Sequence, residues 1–431
     1  MSHNLRAVLG PLHLWGIAVG LVISGEYFGW SYGWGVAGTL GFLASTVLVA
    51  VMYTTFVLSF TELTTAIPHA AGPFAYGRRA LGRWGGFLAG FAALVEFLFA
   101  PPAIAFALGS YTHFIVPAVP VNVAAVVIFT GFALLNLLGV HQTARFELAV
   151  TIVAVAELLV FMALVGPSFS WERFATGGFE HGLPGVFAAI PYAIWFFLAI
   201  EGVAMTAEEV RNPARDIPIG AISGILTLLV LSFGVMFAAG GVGDWRRLAT
   251  LDYPVPEALA MALGRDSPVV KTLAGLGLFG LVASLNGIVY SCSRQVYAMA
   301  RAGFLPRPLA RVSERSRAPW TAVLFTLAVG VVSILSGRTS DLITLSAIGA
   351  VFMYIVCMLA LFVLRRREPT LPRPFRVPGY PVVPAMALVL SAVSLVAMVW
   401  FNPVIAAVFA GLLAAAAAAF AVAGPAAEDA A

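Results

Sequence analysis

The chain has 431 residues, of which 61% are hydrophobic and only 10% charged, with a mean hydropathy of +0.97 and a formal net charge of +4. Soluble domains run near 45–50% apolar and about 25% charged residues, so the composition excludes an ordinary soluble protein and predicts an all-α integral membrane protein. Two cysteines, Cys292 and Cys357, both inside apolar runs, exclude a disulfide framework. The basic residues follow membrane topology, so no nucleic-acid partner is expected, and no obligate protein partner is evident.

Apolar runs long enough to cross a bilayer, about 20 residues each, are expected at 12–36, 38–60, 84–108, 121–140, 147–166, 184–207, 217–240, 269–298, 319–336, 340–364, 380–400 and 403–424. The first is longer than the apolar core of a signal peptide and lacks a small-x-small cleavage site, so it is expected to stay. With both termini placed in the cytoplasm, 17 of the 24 Lys and Arg fall in cytoplasmic segments, among them Arg6, Arg78, Arg79, Arg83 and the runs Arg301 to Arg317 and Arg365 to Arg376. Six fall outside, and Arg294 lies within a span. Because Lys and Arg are retained inside, this distribution predicts a multi-pass protein of the plasma (inner) membrane with cytoplasmic N- and C-termini. Membrane lipid is the expected partner, with Arg365, Arg366 and Arg367 as anchors for anionic headgroups.

The longest outside segment, Gly241 to Ser267, is too short to fold alone, and the tail after Gly424 is expected to be loose. Zinc-protease, nucleophile-elbow and Walker motifs are absent, and the six His are scattered. No enzyme activity, metal or cofactor is expected.

The spans hold acids instead: Glu26 in the first, Glu96 in the third, Glu157 in the fifth and Glu201 in the sixth, with Glu62 closing the second. An ionised carboxylate at the bilayer centre costs about 2.5–3.5 kcal/mol. One arginine cannot neutralise four carboxylates, so the interior must hold protons or take cations from solution. Aromatic residues crowd the same places, Tyr27 to Trp34 in the first span and Tyr192 to Phe197 in the sixth. Their faces can hold an ammonium at about 0.5–2 kcal/mol or serve as interfacial belt and packing.

Ser24-Gly25-Glu26 lies at the centre of span one, and Ala199-Ile200-Glu201-Gly202 at the centre of span six. Secondary transporters repeat such elements in two inverted halves, with helices broken at the midplane where backbone meets substrate and ions. Glycine is a weak sign of a break in a chain that has 42.

The stretches "VISGEYFGW", "TELTTAIPHAAGPFAYGRRALG", "EFLFAPPAIAFALGSY", "YAIWFFLAIEGVAMTAEEVRNPARDIPIG" and "SCSRQVYAMARAGFLPRPLARV" resemble the amino acid, polyamine and organocation (APC) permease superfamily, from about residue 12 to 400. The first, third and fourth look like its ethanolamine permease branch. The resemblance implies a five-plus-five inverted-repeat fold: helices 1–5 over 12–166, helices 6–10 over 184–364, and two peripheral helices over 380–424. It implies alternating access around a substrate held at the breaks of spans one and six. Carried onto this chain, the breaks are Ile23, Ser24 and Gly25 and then Leu198, Ala199 and Ile200, with Trp195 as the aromatic gate; of the aromatic clusters, Tyr27 and Phe197 are expected beside the pathway for their ring faces.

The departures from that pattern narrow the substrate. Where relatives cradle a substrate carboxylate on the first break, Glu26 follows Ser24-Gly25 here, and two carboxylates about 4 Å apart repel by about 4 kcal/mol at an effective dielectric of 20. An amine lacking an acid group is therefore expected: ethanolamine or a similar small organic amine, its ammonium on Glu26 or Glu96 and its hydroxyl on Ser24 or the backbone. Glu26 could instead accept hydrogen bonds from loosened backbone, and Glu96 could tie neighbouring helices. Glu201 is either a proton-linked gate or an anchor of the break. In "VAELLVFMALV", Glu157 aligns with a span-five lysine that stands in for sodium in some proton-coupled relatives; the expected coupling ion is H+, with Na+ as the alternative. An amino acid carrier of the same fold is the main rival. An amine sensor would need a soluble output domain, for which the chain has no room.

Overall fold

The computed structural model describes residues 8–69, 71–137, 144–314, 316 and 318–422. Arg6, Arg315, Arg317, the last residues of the expected fourth span and the tail beyond Gly424 lie outside them. The described residues form helices and no strands.

The first crossing is made by α1 (Pro11–Val22) and α2 (Ser24–Tyr27), and α3 (Tyr32–Ala66) returns. Gly38, at φ 69°, bends α3 where the sequence places the boundary between spans one and two. There follow α4 (Pro73–Ile115), bent at Gly82, then α5 (Val121–Leu137), α6 (Ala144–Val165) and the short α7 (Trp171–Ala175). The sixth crossing is again broken, into α8 (Gly182–Ala188), α9 (Ile190–Trp195) and a 3-10 helix over Ile200–Glu209. After α10 (Pro213–Gly240) come α11 (Trp245–Leu248) and α12 (Pro254–Leu263), and then α13 (Pro268–Arg301), α14 (Trp320–Leu335), α15 (Thr339–Arg367), α16 (Val382–Phe401) and α17 (Pro403–Val422). Proline opens α1, α4, α10, α12 and α13 within their first two positions, where its missing N–H has no helical acceptor to lose.

Nine helical stretches among the described residues are long and apolar enough to cross a membrane, counting α9 with its 3-10 continuation as one. α1, α5 and α14 are shorter apolar helices at the other expected crossings; the chain is a multi-pass membrane protein. The most apolar windows of α16 and α17 are only 33% and 17% buried, so these two helices sit at the periphery. The core forms where α4 lies along α15: Gly349 brings α15 so close to α4 that a Cβ there would stand 2.8 Å from the Ala92 carbonyl and 2.9 Å from the Glu96 amide. Small residues at such contacts let helix backbones approach in lipid, where burial of apolar surface supplies little drive.

The contacts at the helix ends show how the crossings alternate. On the face where α1 begins, here the N-terminal face, Val8 and Leu9 donate their N–H groups to the Glu209 carbonyl and Arg211 donates to that of Leu9. This short parallel bridge joins the two broken crossings by main chain. At the same junction Glu208 lies 3.9 Å from the half-exposed His69, and Asp216 accepts from the Asn212 N–H at the start of α10. Arg365 of α15 grips Glu62 of α3 through two hydrogen bonds of 2.7 and 2.6 Å, with Arg373 at 3.3 Å and the Val377 N–H at 2.8 Å.

On the far face, the segment expected to be a loop between Gly241 and Ser267 is folded down as α11 and α12. Trp245 is buried, and Glu257, 2% exposed, is held by Arg247 at 2.5 Å and by Arg265.

Candidate functional site between the broken helices

The backbone of the first crossing departs from the helix twice. At Ile23 the chain stays in the right-handed helical region, φ −58° and ψ −21°, but one rung of the ladder is replaced. The Ser284 hydroxyl of α13 donates to the Gly20 carbonyl at 2.6 Å and accepts from the Ser24 N–H at 3.1 Å, standing where a direct helical bond would run. The larger departure lies further on than the sequence predicts, at Phe28 (φ −160°, ψ 172°) and Gly29 (φ 89°). There the Trp30 indole N–H takes the freed Glu26 carbonyl at 3.0 Å, and the Tyr111 hydroxyl takes that of Tyr27 at 2.9 Å. Every unsatisfied backbone group in an apolar interior is costly, and side chains from within the protein meet these four.

The second break falls where it is expected. α9 ends at Trp195, Phe196 to Ala199 form a turn and the 3-10 helix begins at Ile200; Ala199 adopts φ 77°, the only positive value at a non-glycine among the described residues. The two breaks cross at Gly25, where a Cβ would overlap the Trp195 carbonyl oxygen and crowd Phe196 Cα. Trp195 then runs along the first crossing to Gly29, and its ring meets Phe28 edge-on at 5.4 Å. Gly25 therefore serves close approach of two backbones.

Glu26 is fully buried and neither carboxylate oxygen has a hydrogen-bond partner. Glu96, also fully buried, is unpartnered at both oxygens, and its carboxyl faces that of Glu201 and the Ala199 amide. Glu201 Oε2 accepts from the Tyr354 hydroxyl at 3.0 Å, which lies 3.0 Å from the Tyr53 hydroxyl. Glu201 also borders a small cavity lined by Phe56, Phe60, Thr61, Thr64 and Ala204 towards the N-terminal face. Phe197 packs on Tyr53 at 5.2 Å, so it belongs to this second group.

Tyr27 turns away from the crossing. Its ring is wedged against Gly277 and Gly280 of α13, and its hydroxyl donates to Glu157 Oε2 at 2.6 Å. Glu157 thus answers Tyr27, not the break itself. The acid against the first crossing is Glu147, one oxygen unpartnered, where a Cβ on Gly20 would overlap the Thr151 hydroxyl at 2.6 Å as well as the Glu147 carboxylate. Arg294 reaches none of these groups; it lies over the Tyr290 ring at 3.6 Å and feels Glu209.

The sequence thus places Glu26, Gly25, Trp195, Glu96, Ala199 and Glu201 around the breaks, and the structure divides them between the Gly25–Trp195 backbone contact, with Glu26 next to it in the chain, and a Glu96–Glu201 group. Ser284, Tyr111, Tyr354 and Glu147 are the partners it does not find. A serine on a distant helix carries no signal of its own, and Glu147 opens an apolar run as solvent-facing acids often do.

Towards the far face, Tyr32 donates to Asp252 at 2.5 Å, Tyr32 and Tyr192 pack at 5.9 Å, and the Tyr192 hydroxyl lies 2.7 Å from that of Ser340. Burial pushes the Asp252 carboxyl up to about 6, against the lowering effect of the Tyr32 hydrogen bond.

Comparison with known proteins matches this architecture. The family described as amino acid permease matches residues 9–422. Similar proteins include an uncharacterized transporter of Rhizobium meliloti, 27% identical over 90% of this chain and 85% of its own length. The branched-chain amino acid permease BcaP of Bacillus subtilis is 26% identical, covering 89% and 86%, and the methylthioribose transporter of the same organism is 25% identical, covering 90% and 87%. With crossings broken at the first and sixth positions and a family match over nearly its whole length, the chain belongs to the amino acid permeases of the APC superfamily and is a membrane transporter.

Proposed function

We propose that this permease takes up ethanolamine or a similarly small organic amine by alternating access, with protons as the coupling ion. The observation that carries the reading is Glu26, fully buried at the crossing of the breaks with both oxygens unpartnered. An ammonium supplies the missing charge and donors together, whereas a substrate carboxylate brought to about 4 Å would be repelled by about 4 kcal/mol. The facing carboxyls of Glu96 and Glu201 hold one proton or one cation between them, since two like charges at such range do not both persist. Glu157, hydrogen-bonded to Tyr27 on the same short helix as Glu26, is the second coupling candidate; sodium is the alternative ion. The excess of Arg on one side supports a cell-membrane protein whose N-terminal face is cytoplasmic.

A neutral amino acid is the second reading, favoured by relatives named for branched-chain amino acids and asparagine. Uptake by purified protein in liposomes decides between them. Labelled ethanolamine is expected to accumulate under an inward pH gradient, with leucine, alanine and asparagine competing weakly. Preference for a carboxylate-bearing substrate overturns the amine reading, and accumulation driven only by a sodium gradient overturns the proton.

A further inference from the structure

An amino alcohol held at Glu26 by its ammonium still presents a hydroxyl that needs a partner. The first break is the place the sequence offers, and its backbone is occupied: the Ser24 N–H and the Gly20 carbonyl meet Ser284, the Glu26 carbonyl meets Trp30, and the Tyr27 carbonyl meets Tyr111. Beside the Ser24 hydroxyl, the crossing holds one fully buried donor with no partner. Trp195 is 2% exposed and its indole N–H has no partner. That N–H edge lies on Gly29, where a Cβ would stand 2.6 Å from Nε1, and Gly29 is three residues from Glu26. Buried indole N–H groups ordinarily find an acceptor, and leaving one unmade costs about 1–3 kcal/mol. Trp34, whose indole N–H is also unpartnered, lies one ring further out, against Trp30 at 4.8 Å and Trp245 at 6.4 Å.

We propose that the Trp195 indole N–H is the specificity-determining donor of this site: it binds the hydroxyl oxygen of a 2-hydroxyalkylamine while Glu26 holds the ammonium. This rests on the amine reading above and adds to it a required acceptor two carbons from the nitrogen. A site built to hydrogen-bond a substrate oxygen discriminates strongly against the analogue that lacks it, because its own polar group is then stranded. The ring of Trp195 closes the path; its N–H chooses what is enclosed.

Calorimetric binding to the purified full-length protein tests it with four ligands. Wild type is expected to bind ethanolamine about tenfold or more tighter than ethylamine, the span of one buried hydrogen bond. It is also expected to bind 2-methoxyethylamine, which keeps the oxygen as an acceptor only, tighter than the isosteric butylamine. Trp195→Phe keeps the ring and removes the N–H, and should bring the ethanolamine-to-ethylamine ratio close to one. A ratio unchanged in Trp195→Phe overturns the assignment. So does wild type that fails to separate 2-methoxyethylamine from butylamine, a measurement that needs no variant to fold. Binding of leucine with no binding of any of the four amines overturns the amine reading itself, which sets that failure apart.

Discussion

Gly25 of the first broken crossing touches the Trp195 carbonyl of the second, so closely that any Cβ at residue 25 would overlap that oxygen. The two breaks are in backbone contact, and the position of each is set by the other. Gly25→Ala forces the crossing apart, because the obstructing atom is main chain and cannot swing aside. Overpacking of this kind costs about 1–3 kcal/mol. The expected result is protein with a lowered thermal midpoint and uptake reduced at least about tenfold, since a 1 Å misplacement can cost that and more. Normal uptake by Gly25→Ala would mean the breaks separate during the cycle without needing this contact.

The hydrophobic pattern makes the membrane class and the nine long crossings among the described residues legible, since each needs only length and apolarity. The acids are legible as anomalies too: Glu26, Glu96, Glu157 and Glu201 are all buried. Their pairing is not. Tyr27 meets Glu157 130 positions away, and Ser284 repairs a rung of α1 from 260 positions away, contacts that no local signal encodes. The first break is only partly legible for the same reason: the helix is interrupted at Ile23 as expected, but a second departure follows. No local signal marks the extended Phe28, beside a Gly29 at φ 89° held against Trp195.

Glu157 and Tyr27 provide a test of coupling. Glu157→Gln keeps an acceptor for the Tyr27 hydroxyl at nearly the same volume but cannot gain or lose a proton. Accumulation driven by a pH gradient should fall at least about tenfold, while exchange of labelled for unlabelled substrate, which needs no net proton movement, should persist. Liposome assays of both modes read this directly; equal loss of accumulation and exchange would make Glu157 structural.

Glu62 ties α3 to the end of α15 through Arg365, Arg373 and the Val377 amide. Glu62→Ala strands the Arg365 guanidinium and the Val377 N–H, while Arg373 keeps its hydrogen bonds to the Leu364, Glu368 and Leu371 carbonyls. Removing one partner of a buried ion pair costs about 3–5 kcal/mol, and the lower end applies because the Arg365 side chain is 20% exposed. The N-terminal face should then open more readily. A cysteine placed at Thr64, which lines the cavity beside Glu201, should react faster with a polar maleimide in the Glu62→Ala background than in wild type. An unchanged rate would show that the main-chain bridge between Leu9 and Val210 closes this face alone.

Asp252 links closure of the far face to pH. Its carboxyl stands at about 6 where Tyr32 and the folded segment enclose it, against about 3.9 for a solvated aspartate. Ionisation therefore costs more in the closed arrangement than in an open one. Closure is most stable below about pH 4, weakens as pH rises from there to 6, and is flat above. Hydrogen exchange across residues 248–254, corrected for intrinsic rates, should show opening that increases over that interval in wild type and stays level in Asp252→Asn. A level wild-type profile would sink the linkage.

Ala199 sits at φ 77° in the second break, a conformation that costs a residue bearing a Cβ about 1–2 kcal/mol. Ala199→Gly removes that cost and adds about 0.5–1 kcal/mol of chain entropy lost on folding, so the strain term wins by a fraction of a kcal/mol to about 1 kcal/mol. The expected variant is slightly more stable to heat. If the strain helps drive the break between conformations, as strain at functional sites can, turnover should fall while substrate affinity is kept or improves. A variant both less stable and slower would show that Ala199 is held by its methyl contacts in the Glu96–Glu201 group, and that its backbone conformation stores nothing the cycle uses.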